Sequence, residues 1–346
     1  MSRFLCVLCS MVVLIVSACE NKSAAVITQP DNVSVQSSAI AKPSLFSVIE
    51  QNFDETSPKP DIEEIRRLIK DGTDVNEVDK EGKTFLMSVV KHNQSGDVVQ
   101  YLIDSGANVN AKDNIGKTAL MYAAENNRNP DILRVLLQNG ADITARDKEG
   151  RTALLWASQG TSQYDDKPIN PEIFKVLIDA GRGKTVNTPN GKVPFIDVPG
   201  YSDHTVLMDV IMRNNGEGKQ GIPKEVWKIL RILIRENPNL EARTSYDGGC
   251  TVLMDAVSFT YEPKIIYFLV KHGANINATS ESGETALMIA ARRDWPGDVI
   301  VRALLKNGAD LDMKDDGGKT AEDHARSRER DMNIIVMEEF RQSRKK

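Results

Sequence analysis

The chain of 346 residues carries 44 basic against 49 acidic side chains, a formal charge of -5, and is 40% hydrophobic, 27% charged and 5% aromatic. This mild acidity excludes a phosphate-binding surface covering the whole molecule, so nucleic acid is not an expected partner. The length allows about two or three compact domains or one long repeat array, and past residue 18 no apolar run approaches the roughly 20 residues that span a bilayer.

Residues 1–18 start with Met1-Ser2-Arg3, run apolar from Phe4 to Val16 and end in Ser17-Ala18 before Cys19. A charged start, a short apolar core and small residues at the end predict an export signal. Val16-Ser17-Ala18-Cys19 resembles the lipobox of bacterial lipoproteins. That resemblance implies cleavage before Cys19, lipidation of Cys19 and, because Glu20 follows, anchoring to the outer membrane on its periplasmic side. An ordinary cleaved signal or an uncleaved anchor is the competing reading. Several acyl chains would hold the chain firmly on a membrane, which a single chain does not. Cleavage would remove Cys6, Cys9 and the charge of Arg3, leaving the mature chain one unit more negative and Cys250 as its free thiol. No disulfide framework is then expected, and a lone thiol in an oxidising compartment is expected to be sheltered. Residues 19–43, rich in Ser, Asn, Gln and Ala without helical periodicity, read as a flexible tether spanning roughly 27 Å by random-coil scaling.

The remainder repeats itself. Gly82-Lys83-Thr84-Phe85-Leu86-Met87 returns as Gly116-Lys117-Thr118-Ala119-Leu120-Met121 and as Gly150-Arg151-Thr152-Ala153-Leu154-Leu155, each 34 residues after the last. The theme recurs at Thr205, Thr251, Thr285 and, degenerate, at Thr320. A second phrase follows, as in Leu102-Ile103-Asp104-Ser105-Gly106-Ala107, and again around Gly140, Gly273 and Gly308. Both phrases in register resemble ankyrin repeats over about residues 60–325. The resemblance implies an all-α solenoid of helix-turn-helix units with projecting β-hairpin fingers, about six repeats between terminal caps. Apolar residues at helical spacing (Val98, Leu102, Ile103; Ile132, Val135, Leu136) agree, and no such unit buries its stripe without neighbours. The expected layout is an amino-terminal cap over 44–79 with Ile62, Ile65, Leu68 and Ile69 on its helix. Repeats follow over 80–314 with insertions within 160–235, then a closing cap over 315–346 carrying Ile334, Ile335, Met337 and Phe340.

The chain departs from the family's Thr-Pro-Leu-His phrase, with Ala, Val or Phe for Pro and Met or Leu for His; losing the His predicts apolar in place of polar stapling between fingers. The period also breaks. Thr152 to Gly181 and Thr205 to Asn237, the apparent substitute for Gly, are longer than the regular 22-residue span, and the finger from Gly181 to Thr205 is twice the regular 12. Insertions outside a stacking core often sit on a binding face.

Catalytic residues are not in evidence. The four Gly-Lys-Thr triplets lack the upstream Gly of a phosphate-binding loop, and His92, His204, His272 and His324 form no zinc-protease motif. Asp165-Asp166 and Asp315-Asp316 read as solvated loop carboxylates. No cofactor and no metal are assigned, and the chain is read as a binding protein, not an enzyme. The ankyrin resemblance places contacts on a concave face of finger tips and inner helices. Four residues after the theme Thr come Ser88, Tyr122, Trp156, Asp209, Asp255 and Ile289, expected as an exposed stripe running from aromatic to acidic. Further contact positions in the same units are Glu125, Asn126, Gln159, Met212, Arg213, Phe259, Arg292 and Arg293, with Tyr201 on the long finger. Tyr, Trp and Arg are the types enriched at binding hot spots. The expected partner is a protein, and the membrane is reached through the lipid anchor alone. Resemblance to ankyrin-repeat immunity lipoproteins implies a lipase or phospholipase effector of type VI secretion as that partner. An envelope scaffold or protector of a resident periplasmic enzyme, of the oxidative-stress type, is the alternative.

Overall fold

The computed structural model describes residues 44–47, 62–91, 95–126, 129–159, 169–213, 221–245, 248–294 and 297–344. The signal segment, Cys19 and the tether lie outside them, as do 160–168 and 214–220 of the two enlarged loops. Among the described residues no helix is long and apolar enough to cross a membrane.

Among the described residues fifteen α-helices follow in chain order. α1 (Ile62–Lys70) opens the array, with Ile65 and Leu68 buried. Pairs of inner and outer helices come next: α2 (Phe85–Lys91) and α3 (Gly96–Asp104), α4 (Ala119–Asn126) and α5 (Pro130–Gln138), α6 (Ala153–Gln159) and α7 (Pro171–Gly181). The series continues with α8 (Val206–Arg213) and α9 (Lys224–Arg235), α10 (Val252–Phe259) and α11 (Lys264–Lys271), α12 (Ala286–Ala291) and α13 (Gly297–Lys306), and closes on α14 (Ala321–Arg326) and α15 (Asp331–Ser343). Inner helices stack on inner helices and outer on outer. The expected all-α repeat solenoid is therefore present.

Local chemistry explains these elements. Asn129 and Asn170 cap α5 and α7 by accepting the N–H of Asp131 and Glu172, with Pro at the first helical position in both. Outer helices end on a left-handed residue, Gly106, Gly140, Gly273 or Gly308, and Asn237 takes that conformation (φ 54°) after α9. Each exit is phased to a fully buried leucine four residues earlier: Leu102, Leu136, Leu233, Leu269 and Leu304. Truncating one such leucine to Ala costs about 2–5 kcal/mol. After α7 the pattern shifts, with Gly183 carrying the positive φ and Gly181 remaining helical.

The fingers are tight turns closed by single bridges, such as Val78 with Thr84 and Thr279 with Thr285. Among the described residues the one extended hairpin lies in the long finger, where β1 (Thr185–Thr188) pairs antiparallel with β2 (Gly191–Pro194) in the register Thr185 to Pro194.

Neighbouring fingers are joined by polar contacts, which corrects the expectation of apolar stapling. Lys112 Nζ donates to the Arg146 carbonyl at 2.8 Å, Arg146 Nη1 to Asn187 at 3.1 Å, and Arg243 Nη1 to Thr279 at 2.7 Å. Asn110 spans the next step with its amide on Gly140 O (2.9 Å) and its oxygen on Asp142 N–H (2.8 Å). Backbone bonds such as Lys148 N–H to Ile115 O at 3.0 Å complete the ladder. The Met that replaces His keeps a polar task as well. Met87, Met254 and Met288 each place Sδ 3.4–3.5 Å from the amide of the theme Thr, a weak acceptor for an otherwise orphaned donor.

Candidate functional site

At three finger turns an acid organises the inner-helix face, while Ser280 takes that place in the finger before Thr285. Asp113 Oδ1 accepts the N–H groups of Ile115 (2.9 Å) and Lys117 (2.8 Å), and its Oδ2 takes the Tyr122 hydroxyl at 2.7 Å. One repeat later Asp147 Oδ1 accepts from Glu149 and Arg151, while Oδ2 receives the Trp156 indole N–H at 3.0 Å. At the far end Asp315 accepts from Lys319 N–H (2.9 Å) and pairs with His324 Nε2 at 2.7 Å. In these three units the partner stands nine residues after the acid.

This overturns the expected exposed stripe. Tyr122 and Trp156 retain 5% and 7% exposure, and Asp209, Asp255 and Ile289 are buried too. At Tyr122 and Trp156 the position four residues after Thr locks finger to helix, because cations cover the ring and the finger acid claims its polar end. Burial and the Asp113 bond push the Tyr122 phenol up, keeping it a donor.

Cations cover the rings. Lys117 Nζ lies 3.4 Å from the Trp156 ring centre and 4.3 Å from that of Tyr122, and it pairs with Glu125. Arg151 Cζ sits 3.9 Å from the Trp156 centre while bridging Asp147 and Glu149, both at 2.8 Å. Burial lowers the Lys117 pKa, opposed by Glu125. A second register runs eight residues apart: Lys117 with Glu125, Arg151 with Gln159 (3.4 Å) and Glu284 with Arg292 (3.1 Å). Charge complementarity at that spacing was visible in the sequence for the first and third pairs and was overlooked.

The remaining candidates divide in the same way. Arg293 donates to the carbonyls of Val257 and Thr260 at the end of α10 and stacks 5.6 Å from Tyr261; burial lowers its pKa. It is a helix cap. Asp209 accepts Ser158 Oγ at 3.1 Å and faces His204 Nδ1 at 3.7 Å. Asp255 is buried beside the inner helices. Met212 and Phe259 are half-buried, and Asn126 and Arg213 are exposed. Cys250 is buried, as a sheltered thiol should be.

The long finger is ordered by its own small core of Val186, Phe195, Ile196 and Val198. Phe195 packs so closely on Gly181 that a Cβ there would fall 2.1 Å from the ring. Beyond it Ser202 and Asp203 hold φ near +60°, a costly conformation for residues with a Cβ. Ser202 O is pinned by Ser245 N–H at 3.1 Å, and Tyr201 stands 71% exposed.

Glu284, Asp315 and His324 place ligand-capable atoms within 4.8 Å of one another and form a candidate metal set. Arg292 already occupies Glu284, and the Asp315–His324 bond repeats the finger lock seen at Tyr122 and Trp156. The repeat therefore accounts for the cluster without an ion.

Stacked helix pairs, braced fingers and a folded finger insertion define a repeat array that works through its surface. The chain matches the family models described as ankyrin repeats over residues 57–147, 223–315 and 253–336, and over 127–178. It belongs to the ankyrin-repeat family, whose arrays are protein-interaction modules. Among solved structures it is similar to the ankyrin repeat domain of Bcl-3, described as a unique member of the IkappaB protein family. The identity is 24%, the TM-score 0.58, and the match covers 75% of this chain and all of that one. No curated protein matches the chain.

Proposed function

We propose that the protein is a lipid-anchored, periplasm-facing ankyrin array that binds one protein through its inner-helix face and long finger. The observation that carries this reading is the folded finger, pinned on both sides and presenting Tyr201 next to a braced helical face. Ordering loops and long side chains on association costs affinity, and here the locks between finger and helix leave little to order. An exposed Tyr on such a support is an anchor of the kind that dominates interfaces.

The partner we infer is a lipase or phospholipase effector of type VI secretion, which the array neutralises by occlusion as an immunity protein. Anchoring at Cys19 would station the inhibitor where a lipase attacks. The test inspects the neighbouring genes for a secreted lipase and titrates purified protein into that enzyme. Inhibition with a nanomolar constant, about -12 kcal/mol, is expected. Undiminished lipase activity overturns the immunity reading and favours a scaffold for a resident enzyme. Loss of palmitate-analogue labelling in Cys19→Ala checks the anchor; persistent labelling contradicts it.

A further inference from the structure

The outer helices carry a feature that partner binding on the inner face leaves unused. Lys224, Lys228, Arg231 and Arg235 recur along α9 at helical spacing, all exposed on its outward side. Over eleven residues they form a row about 16 Å long. Among the described residues none of the four takes part in an ion pair, whereas the arginines of α1 and α5 are bridged: Arg66 to Glu63, Arg67 to Glu64 and Arg134 to Asp131 and Glu172. Lys175 of α7 joins the row across a groove of about 520 Å³ lined by Lys228, Arg231, Arg235 and Ile232. Its nearest acid, Glu172 at 4.0 Å, is held by Arg134 at 2.7 Å. On the other side Trp227 meets Phe268 edge-on at 5.6 Å, bringing α11 with exposed Lys264 and Lys271 against α9.

We propose that this basic outer face binds an anionic phospholipid surface, laying the array on the bilayer by its outer helices with the inner-helix face turned away. Charge complementarity is the argument. In a chain of net charge -5 an unneutralised cation row must be held against the overall field. It spreads across three neighbouring outer helices, a broad shape suited to headgroups. Half-buried Trp227 and Ile232 lie between the cations, amphipathic in the manner of interfacial helices. Glu225 and Glu236 border the row in sequence and Glu262 lies two residues before Lys264; Glu236 is held by Arg182 at 2.6 Å, and the other two leave a positive excess.

The experiment measures partition of the full-length chain onto vesicles of phosphatidylcholine alone or mixed with phosphatidylglycerol. The readout is the ratio of the two, so any contribution of the apolar amino terminus cancels. Each Lys or Arg at an anionic surface contributes about fivefold. Replacing Lys224, Lys228, Arg231 and Arg235 by Gln should lower the anionic-to-neutral ratio by about 600-fold. The wild-type preference should also fade as the Debye length shrinks from about 30 Å to about 3 Å. A control replaces the bridged Arg66, Arg67, Arg134 and Arg302, the last paired with Glu339 at 3.4 Å, by Gln, with the same overall change of charge, and should keep its preference. Unchanged circular dichroism verifies folding. A wild-type chain indifferent to phosphatidylglycerol, a quadruple variant with the wild-type ratio, or equal losses in variant and control would each overturn the proposal. The assay contains no protein partner, so its failure leaves the inhibitor reading standing.

Discussion

The regular unit around Tyr122 and the central unit around His204 solve one problem in opposite ways. In the first, the finger supplies an acid, Asp113, and the inner helix an aromatic donor. In the second, Gly200 stands where the finger acid should be, His204 comes from the finger, and the acid, Asp209, sits on the helix where it also holds Ser158 of the preceding unit. The regular unit uses its aromatic residues for locking and buries them. The central unit, freed from that lock by a longer finger, leaves Tyr201 in solvent. Strength and presentation thus occupy separate residues, and mutations should separate them.

The largest effect is expected at Trp156. Replacing it by Ala removes a buried ring, its indole bond to Asp147 and the face that Lys117 and Arg151 cover, so stability should fall by about 3–5 kcal/mol in urea unfolding. A loss below about 1 kcal/mol would mean that the finger lock is dispensable. Gly181→Ala tests the other region. Its Cβ would overlap Phe195, which is buried and has nowhere to swing, and overpacking of this kind costs about 1–3 kcal/mol. Wild-type stability would show that the long finger is not packed on α7.

The smallest effect is in pH. The Arg182 bond holds Glu236 below the usual carboxylate range, and the Lys319 amide followed by His324 does the same for Asp315. A depressed folded pKa stabilises fully above the unfolded value, about 4, and that stability is lost as pH falls through the lowered value. Burial raises Asp197, whose ionised form costs stability, so its protonation works in the opposite direction. Unfolding midpoints should drop between about pH 5 and about pH 2, and less steeply in Glu236→Gln. An identical slope in the variant would show that the Arg182 pair is not formed.

Fold class was legible because the repeat is written twice per unit, in the Thr theme and in the exit glycine; even Asn237 could be read as a stand-in. Site residues were legible only as positions. The spacing that puts Trp156 on the inner face does not say whether solvent or the next repeat covers it. That depends on Asp147, nine residues upstream, and on Lys117 from the neighbouring unit. The free row on α9 could be counted in the sequence, but its lack of counter-ions is a property of the packed helices.

Tyr201→Ala, measured beside Trp156→Ala, tests the division between locking and presenting residues most directly. Removing the exposed Tyr201 ring should leave unfolding stability within about 0.5 kcal/mol of wild type. Affinity for the protein partner should weaken by about 2 kcal/mol, roughly 30-fold. A Tyr201→Ala protein that unfolds early, or that binds the partner as tightly as wild type does, would contradict the account.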